Sequence, residues 1–454
     1  MICHDIREFL HRLAELGELH EIRAEVSPLL EIAAITGRAC KGGEQLNRAL
    51  LFTAVTGSAH RVATNLFGSE RRVAAALGDR FPAVFQELLA QSPGSSALEK
   101  LASLPLTPAW LAASPLIGNA VPVQLEETAL SSLPLIKNHP HDGEPDNDGR
   151  FITLPLVITA DPVFQDFNCG MYRAAVAGAD TLAIAWGEQS GAAAHEAAWQ
   201  ASAKPMPVTI AIGGPPMLIF AATLPLPLNE FTLAGALQCE PLPFYRCDNG
   251  LLAPTTAETV IEGYLLPEKA GSGAFGNHTG SYTPSIPAAA LRITSVRCRR
   301  DMIFPSTVVG RPPMEDCWLA RAAGALALPL LRLDVPRIIA LHQPLAGIFH
   351  GAAIIAVSRA AGQGMAIIEK IRENPWFTKA KLVVLVDACQ DPADEAGVLW
   401  RIMNCVNAEQ DIVISAGSVS IDATRKAEGN RAVETDAAMA ALIEKRWKEY
   451  GFAG

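Results

Sequence analysis

Between residues 120 and 310 the chain repeats one texture: short apolar runs, each closed by a turn signal. "ITLPLVITA", "TLAIAWG", "PVTIAIGG", "TVIEGYLL" and "ALRITSVRC" all have this form. Val, Ile and Thr suit a pleated, half-buried surface, and glycine or proline ends each run. Strands at this spacing, with few long helices between them, exclude a helical bundle. They predict a compact β-barrel or mixed sheet across the span.

The flanks read differently. "MICHDIREFLHRLAELGELHEI" places Ile6, Leu10, Leu13 and Leu16 at helical spacing. "EIAAITGRAC", "RRVAAALG" and "FPAVFQELLAQ" continue the helical pattern around one buried strand, "ALLFTAV". "SLPLTPAWLAASPLIG" (103–118), rich in Pro and Ser, reads as a linker. Past the central span, "PPMEDCWLARAAGALALPLLR" (312–332) is a long helix. Strands "RIIALHQP", "GAAIIAVS" and "AKLVVLVDA" then alternate with helices "AAGQGMAIIEKIREN" and "EAGVLWRIMNCV", which makes a second, smaller α/β domain. The last helix, "DAAMAALIEKRWKEY", carries a stripe of Met439, Leu442, Ile443 and Trp447 with no domain of its own to cover it. It folds back on the chain or crosses to a second subunit.

Composition narrows the function. A length of 454 residues allows two or three domains. The net charge of -10, with no long basic run, argues against nucleic acid. The "RCRR" cluster, Arg297 to Arg300, reads as a solvated strand end. The longest apolar run, "PMLIFAATLPLPL", is broken by prolines and falls short of a membrane span. Nine cysteines without a CxxC pair argue against a disulfide framework or structural zinc. With no apolar leader at the start, a soluble cytoplasmic protein is expected.

Four patches carry possible chemistry. "DFNCGMYRAAV" (166–176) sets Asn168, Tyr172 and Arg173 between apolar runs. A guanidinium there suits a carboxylate or phosphate, or pairs structurally with an aspartate. "LNEFTLAGAL" (228–237) places Glu230 in a first helical turn, where an acid also serves the helix dipole. "STVVGRPPMED" (306–316) is a rigid turn bearing Arg311. "GSGAFGNHTG" (271–280) has almost no bulk, so it lies against a neighbouring backbone or a ligand.

In this order and spacing the patches resemble the UbiD family of decarboxylases. The family pattern is N-x-G-x-Y-R, a metal-binding Glu, E-G-P-x-G-[ED]-x-x-G-Y, and T-G-R-P-P. "TNLFGSERRVA" (64–74), "EIAAITGRA" (31–39) and "FTKAKLVVLVDA" (377–388) also match, so the resemblance spans nearly the whole chain. It implies an α/β multidomain fold with a central split β-barrel that binds prenylated FMN. The implied division is an N-terminal α/β domain (1–118), the central domain (119–311), a linker helix (312–332), a C-terminal α/β dimerisation domain (333–430) and a final helix (431–454). The implied activity is reversible decarboxylation of an aromatic or α,β-unsaturated acid, in which a carboxylic acid supplies the proton. A flavin prenyltransferase would supply the cofactor, and a homodimer or larger homo-oligomer is expected.

Residue by residue, the resemblance gives cofactor contacts at Thr153, Asn168, Met171, Tyr172, Arg173, Gln189, Glu230 and Lys379, with Arg173 as the catalytic cation. Asn168 and Glu230 would be metal ligands, and Gln189 falls where the family has a histidine. Oxygen donors suit Mg2+ or Mn2+, with K+ as a further ion. A hydrogen-bonded polar cluster without metal is the alternative. The family's two loop acids fall on Ser272 and Asn277, and neither side chain can act as a general acid. His278 or Glu268 could replace them, as could water. Without those acids Arg173 is expected to lack carboxylate partners, so the substrate should bring extra negative charge. A catalytically inactive subunit that assembles with an active homologue is the competing reading.

Overall fold

The computed structural model describes residues 2–119, 121–122, 124–348, 351–358, 362–374, 376–378, 380–415, 417–424 and 435–452. Helices and sheets mix along the chain, with three main sheets in sequence. The first helix, Ile6–Glu15, starts where the Asp5 side chain accepts the Glu8 N–H. Its buried face is Ile6, Phe9, Leu10 and Leu13, as the spacing predicts. This helix packs beside a four-stranded sheet of Leu19–Val26, Ala49–Val55, Arg61–Thr64 and Ile303–Ser306. The last of these strands arrives from beyond the central sheet and runs parallel to Arg61–Thr64. Arg7 also reaches across, with Nε 2.6 Å from the buried Glu258 carboxylate of a central strand.

The predicted linker at 103–118 is instead folded. Thr107 caps a short helix, Pro108–Ala112, and Trp110 is buried. The prolines that suggested a flexible connection sit in first turns, where the missing N–H costs nothing.

Nine strands make the central sheet, and all of its pairings are antiparallel. Its two longest strands, Ala257–Gly271 and Pro287–Arg299, pair along their length, and the glycine-rich stretch connects them. Strand Pro207–Gly213 is buried throughout. Val208, Ile210 and Ile212 face one apolar core while Ala211 faces another, as alternation requires. Each such branched side chain contributes about 1.5–3 kcal/mol when fully buried. The sheet is therefore sandwiched, and its loops are held from both sides. "RCRR" is only half solvated: Arg300 is exposed, but Arg297 pairs with Glu127, Asp248 and Glu262.

The helix Glu315–Asp334 follows the last strand of the first sheet. Its first residue is buried: Glu315 Oε1 accepts the Phe67 N–H at 2.8 Å, while Oε2 has no partner. Among the described residues the C-terminal sheet has five strands, Ile338–His342, Ala352–Val357, Leu382–Asp387, Ser418–Asp422 and Ile412–Ser415 in spatial order. Helices Gly364–Glu373 and Glu395–Cys405 lie between them in sequence, as the alternation predicts. The final helix, Ala437–Arg446, buries none of its side chains. Among the described residues no helix is long and apolar enough to cross a membrane.

Candidate active site

Strand Phe167–Gly170 and the turn after it supply four of the predicted residues, Asn168, Met171, Tyr172 and Arg173. Asn168 is buried on the strand, and its Nδ2 has no hydrogen-bond partner. The next amide, that of Cys169, donates to Glu230 Oε2 at 3.0 Å. Glu230 opens the helix Glu230–Gln238, whose cap is the Asn229 side chain. Burial pushes the Glu230 carboxyl up to about 7, against the stabilising Cys169 N–H, and the charge of Asp166 adds to the rise. The Tyr172 phenol is likewise raised by burial, offset in part by the Asn168 and Ser190 side chains. Ser190 caps the helix Gly191–Ser202, and Gly191 leaves room for Asn168: a Cβ there would lie 2.3 Å from Asn168 Oδ1. Asn168, Tyr172 and Glu230 thus form one cluster. Gln189 faces solvent in the turn beside it.

Arg173 ends the same turn. Its guanidinium carbon lies 4.7 Å from the centroid of the Phe275 ring, and its Nε has no hydrogen-bond partner. Burial works against its charge, and one carboxylate, Asp142, supports it. Asp142 acts through its charge alone, since among the described residues Arg173 forms no ion pair with a carboxylate. Asp142 is itself buried, and burial raises its carboxyl above the usual range. Its two oxygens accept backbone N–H groups, from Gly276 at 2.7 Å and from His139 at 2.9 Å.

The glycine-rich stretch lies against residues 139–149. Gly143 and Ala274 exchange a pair of backbone hydrogen bonds, 2.8 and 3.0 Å. Gly273 has φ +68, and a Cβ there would meet the Gly143 backbone at 2.8 Å. At Gly276 a Cβ would meet the His139 ring at 2.3 Å. Only glycine permits both approaches. Glu144 completes the contact by accepting the Gly273 N–H at 3.1 Å.

The residues at the positions of the family's loop acids are spent on this local structure. Ser272 is buried, and its Oγ accepts the Ile286 N–H at 3.0 Å. Asn277 Nδ2 donates to Thr283 Oγ1 at 2.6 Å, and its Oδ1 accepts the Thr279 N–H at 2.8 Å. His278 is half-buried, and burial lowers its imidazole pKa. Glu268 stands exposed on its strand, so the structure does not pack it into the cluster. Thr153 is buried, and its Oγ1 accepts the Thr307 N–H at 3.0 Å. Met171 enters through its backbone, which donates to the Ala222 carbonyl at 3.2 Å. Lys379 lies outside the described residues.

Asp142 and Glu144 are the residues that sequence reasoning missed. The signal was four acids within residues 142–148, a run that reads as a solvated loop. Beside this loop opens a cleft of about 690 Å³. It lies between the helix Glu31–Cys40, residues 138–140, residues 276–282 and residues 308–314.

Comparison with known proteins gives one consistent result. Three family models match in series, described as the N-terminal, Rift-related and C-terminal domains of 3-octaprenyl-4-hydroxybenzoate carboxy-lyase, on residues 10–91, 116–312 and 317–433. An uncharacterised protein of Archaeoglobus fulgidus is 34% identical, over 99% of each chain. One of Aquifex aeolicus is 33% identical, over 99% of this chain and 93% of the relative. Among solved structures, vanillic acid decarboxylase of Sedimentibacter hydroxybenzoicus in closed form superposes with a TM-score of 0.83, at 24% identity over 99% of both chains. An evolved dimeric form of the enzyme HmfF of Pelotomaculum thermopropionicum, in complex with prFMN, gives 0.77 at 24% identity, over 98% of this chain and all of that one.

Proposed function

The chain belongs to the UbiD family of carboxy-lyases, and from that premise we propose that it reversibly decarboxylates an aromatic or α,β-unsaturated acid with prenylated FMN. The observation that carries this reading is Arg173, a half-buried cation over an aromatic ring with one carboxylate, Asp142, acting on its charge. A pure scaffold has no need of so costly an arrangement.

The residues present fit the cofactor. Asn168 offers a buried amide with an unmet donor, and Glu230 is a buried carboxyl raised to about 7. A divalent cation at Glu230 would hold that carboxyl ionised, and a cofactor phosphate would complete the oxygen set with Asn168. Gln189 would have to turn inward to join it. When bound, the flavin supplies the electron sink for the carbon–carbon bond that breaks.

The chain's own residues do the rest. Arg173 binds the substrate carboxylate and orients it, and the Phe275 ring holds the guanidinium in place. Asp142 takes the acid's part that Ser272 and Asn277 cannot fill. Burial raises its carboxyl above the usual range, and we assign it delivery of a proton to the carbon that loses CO2. In the carboxylation direction the same carboxylate accepts that proton. Each turnover breaks one C–C bond, forms one C–H bond and releases CO2, and the proton returns to Asp142 from solvent.

The test is co-production with a flavin prenyltransferase, followed by the absorption spectrum, the intact mass and exchange of labelled CO2 into a panel of acids. Bound flavin with exchange supports the proposal. Bound flavin without exchange favours the assembly-subunit reading, which the loss of both loop acids motivates.

A further inference from the structure

The cleft beside the glycine-rich stretch is a basic, acid-free pocket. Arg38, Lys41 and Arg311 line it, and no carboxylate does. Among the described residues none of these three cations forms an ion pair or a side-chain hydrogen bond. Elsewhere in the molecule Arg7, Arg72, Arg297 and Arg401 are each matched by a carboxylate.

A second observation points to a ligand. Asn138 lines the same cleft at 6% exposure, and neither its Nδ2 nor its Oδ1 has a hydrogen-bond partner. A buried amide left without partners costs about 1–3 kcal/mol unless something meets it. The wall is also prepared for a flat molecule. The Tyr282 ring stands edge-on to His139 and His141, with centroids 6.3 and 5.6 Å away, and is partly exposed. Arg311 is seated by Gly280, where a Cβ would lie 2.6 Å from its Nε. The Val309 carbonyl pairs with His139 Nε2 at 2.8 Å. The volume suits a small organic molecule.

The cleft is contiguous with the reacting end of the site. Gly276 and Asn277 line it, and the Gly276 amide binds Asp142, the carboxylate that acts on Arg173. One residue earlier, Phe275 lies against the Arg173 guanidinium.

We infer that this cleft is a second anion subsite, in which Arg38, Lys41 and Arg311 bind a carboxylate or phosphate group of the substrate remote from the carboxylate that reacts. The inference rests on the decarboxylase reading and names its substrate class as dianionic aromatic or unsaturated acids. Asn138 supplies a neutral hydrogen bond to the same ligand, and Tyr282 stacks on its plane. Arginine carries the selectivity, since its planar fork matches either anion bidentately.

The test is calorimetric binding to the flavin-loaded protein, comparing benzoate with terephthalate and 4-phosphonobenzoate at fixed ionic strength. The two dianions are expected to bind roughly tenfold to a hundredfold tighter than benzoate, the range of one or two charge-assisted hydrogen bonds. In Arg38→Gln/Arg311→Gln that ratio should fall severalfold towards one, and in Arg38→Lys/Arg311→Lys it should fall less, because the charge remains while the bidentate fork is lost. Equal binding of all three acids by the parent, no binding of any, or a ratio that persists in the glutamine variant overturns the subsite. Preference for the phosphonate over the dicarboxylate identifies the remote group as phosphate, and the reverse identifies it as carboxylate. Labelled CO2 exchange, followed separately, distinguishes failure of the subsite from failure of the decarboxylase reading. A dianion preference without exchange keeps the first and removes the second.

Discussion

Asp142 binds the Gly276 amide at 2.7 Å, so the carboxylate that acts on Arg173 is fixed to the loop that also carries its ring partner, Phe275. Acid and aromatic ring are therefore held on one loop contact, with the cation lying over the ring. Replacing Asp142 by Asn keeps an acceptor for one amide but removes the titrating proton. Decarboxylation is expected to fall by about 10²–10⁴ with flavin still bound. Steady-state rates and the flavin spectrum of the variant check this. Unchanged rates would return the acid role to His278 or water.

Glu230 carries the metal assignment. Its carboxyl stands at about 7 because it is buried, and a cation would reverse that. Glu230→Ala should lose both metal and flavin on dialysis against chelator, read by elemental analysis and absorbance. Full flavin occupancy after dialysis would show that the cluster is only hydrogen-bonded.

Restoring the family acid at Ser272 should damage the protein. Ser272 is buried, its hydroxyl holds the Ile286 amide, and Glu144 binds the neighbouring Gly273 amide. A glutamate there would bury a second carboxylate close to the first. Ser272→Glu should cost about 2–4 kcal/mol in stability. Denaturant midpoints decide it, and a variant as stable as the parent would mean that the carboxylate reaches Arg173 instead.

The start of the long helix should make stability depend on pH. Burial raises Glu315 to about 7 and Asp316 to about 6, although the nearby Arg72 opposes the rise at Glu315. Between the ordinary carboxyl range and about 7, the folded state keeps protons that the unfolded chain releases. Stability is therefore expected to fall as pH rises through that window and to level off above it. Urea midpoints at pH 5 and pH 8 should differ less in Glu315→Gln than in the parent. An identical slope in both would place the titration elsewhere.

The final helix leaves Met439, Leu442, Trp447, Tyr450 and Phe452 between 40% and 54% exposed. Apolar side chains this concentrated call for a cover. Removing residues 432–454 should weaken self-association, measured by sedimentation. A truncated chain with the parent's association state would assign the helix some other partner.

Much of the fold was legible because its signals are local. The alternation in Pro207–Gly213 and the spacing of Ile6, Leu10 and Leu13 depend on neighbours within a few residues. Residues 103–118 read as a linker, and not as a helix around Trp110, because Pro and Ser mark flexible chain and helix starts equally well. In the candidate site, Asn168 and Arg173 stand out in sequence because they share one short motif, and Glu230 because it opens a helix. Asp142 does not. Its importance comes from a backbone contact between Gly143 and Ala274, more than a hundred residues apart, and nothing near Asp142 in sequence announces that contact.

The late strand Ile303–Ser306 has a consequence for the order in which the protein is made. Until it leaves the ribosome, one edge of Arg61–Thr64 stays open, across roughly 240 residues of synthesis. At ordinary elongation rates that is on the order of 10–50 s. An unpaired edge of that duration invites pairing with other nascent chains. The first sheet is therefore completed only after the central sheet has been made, and ahead of the C-terminal sheet.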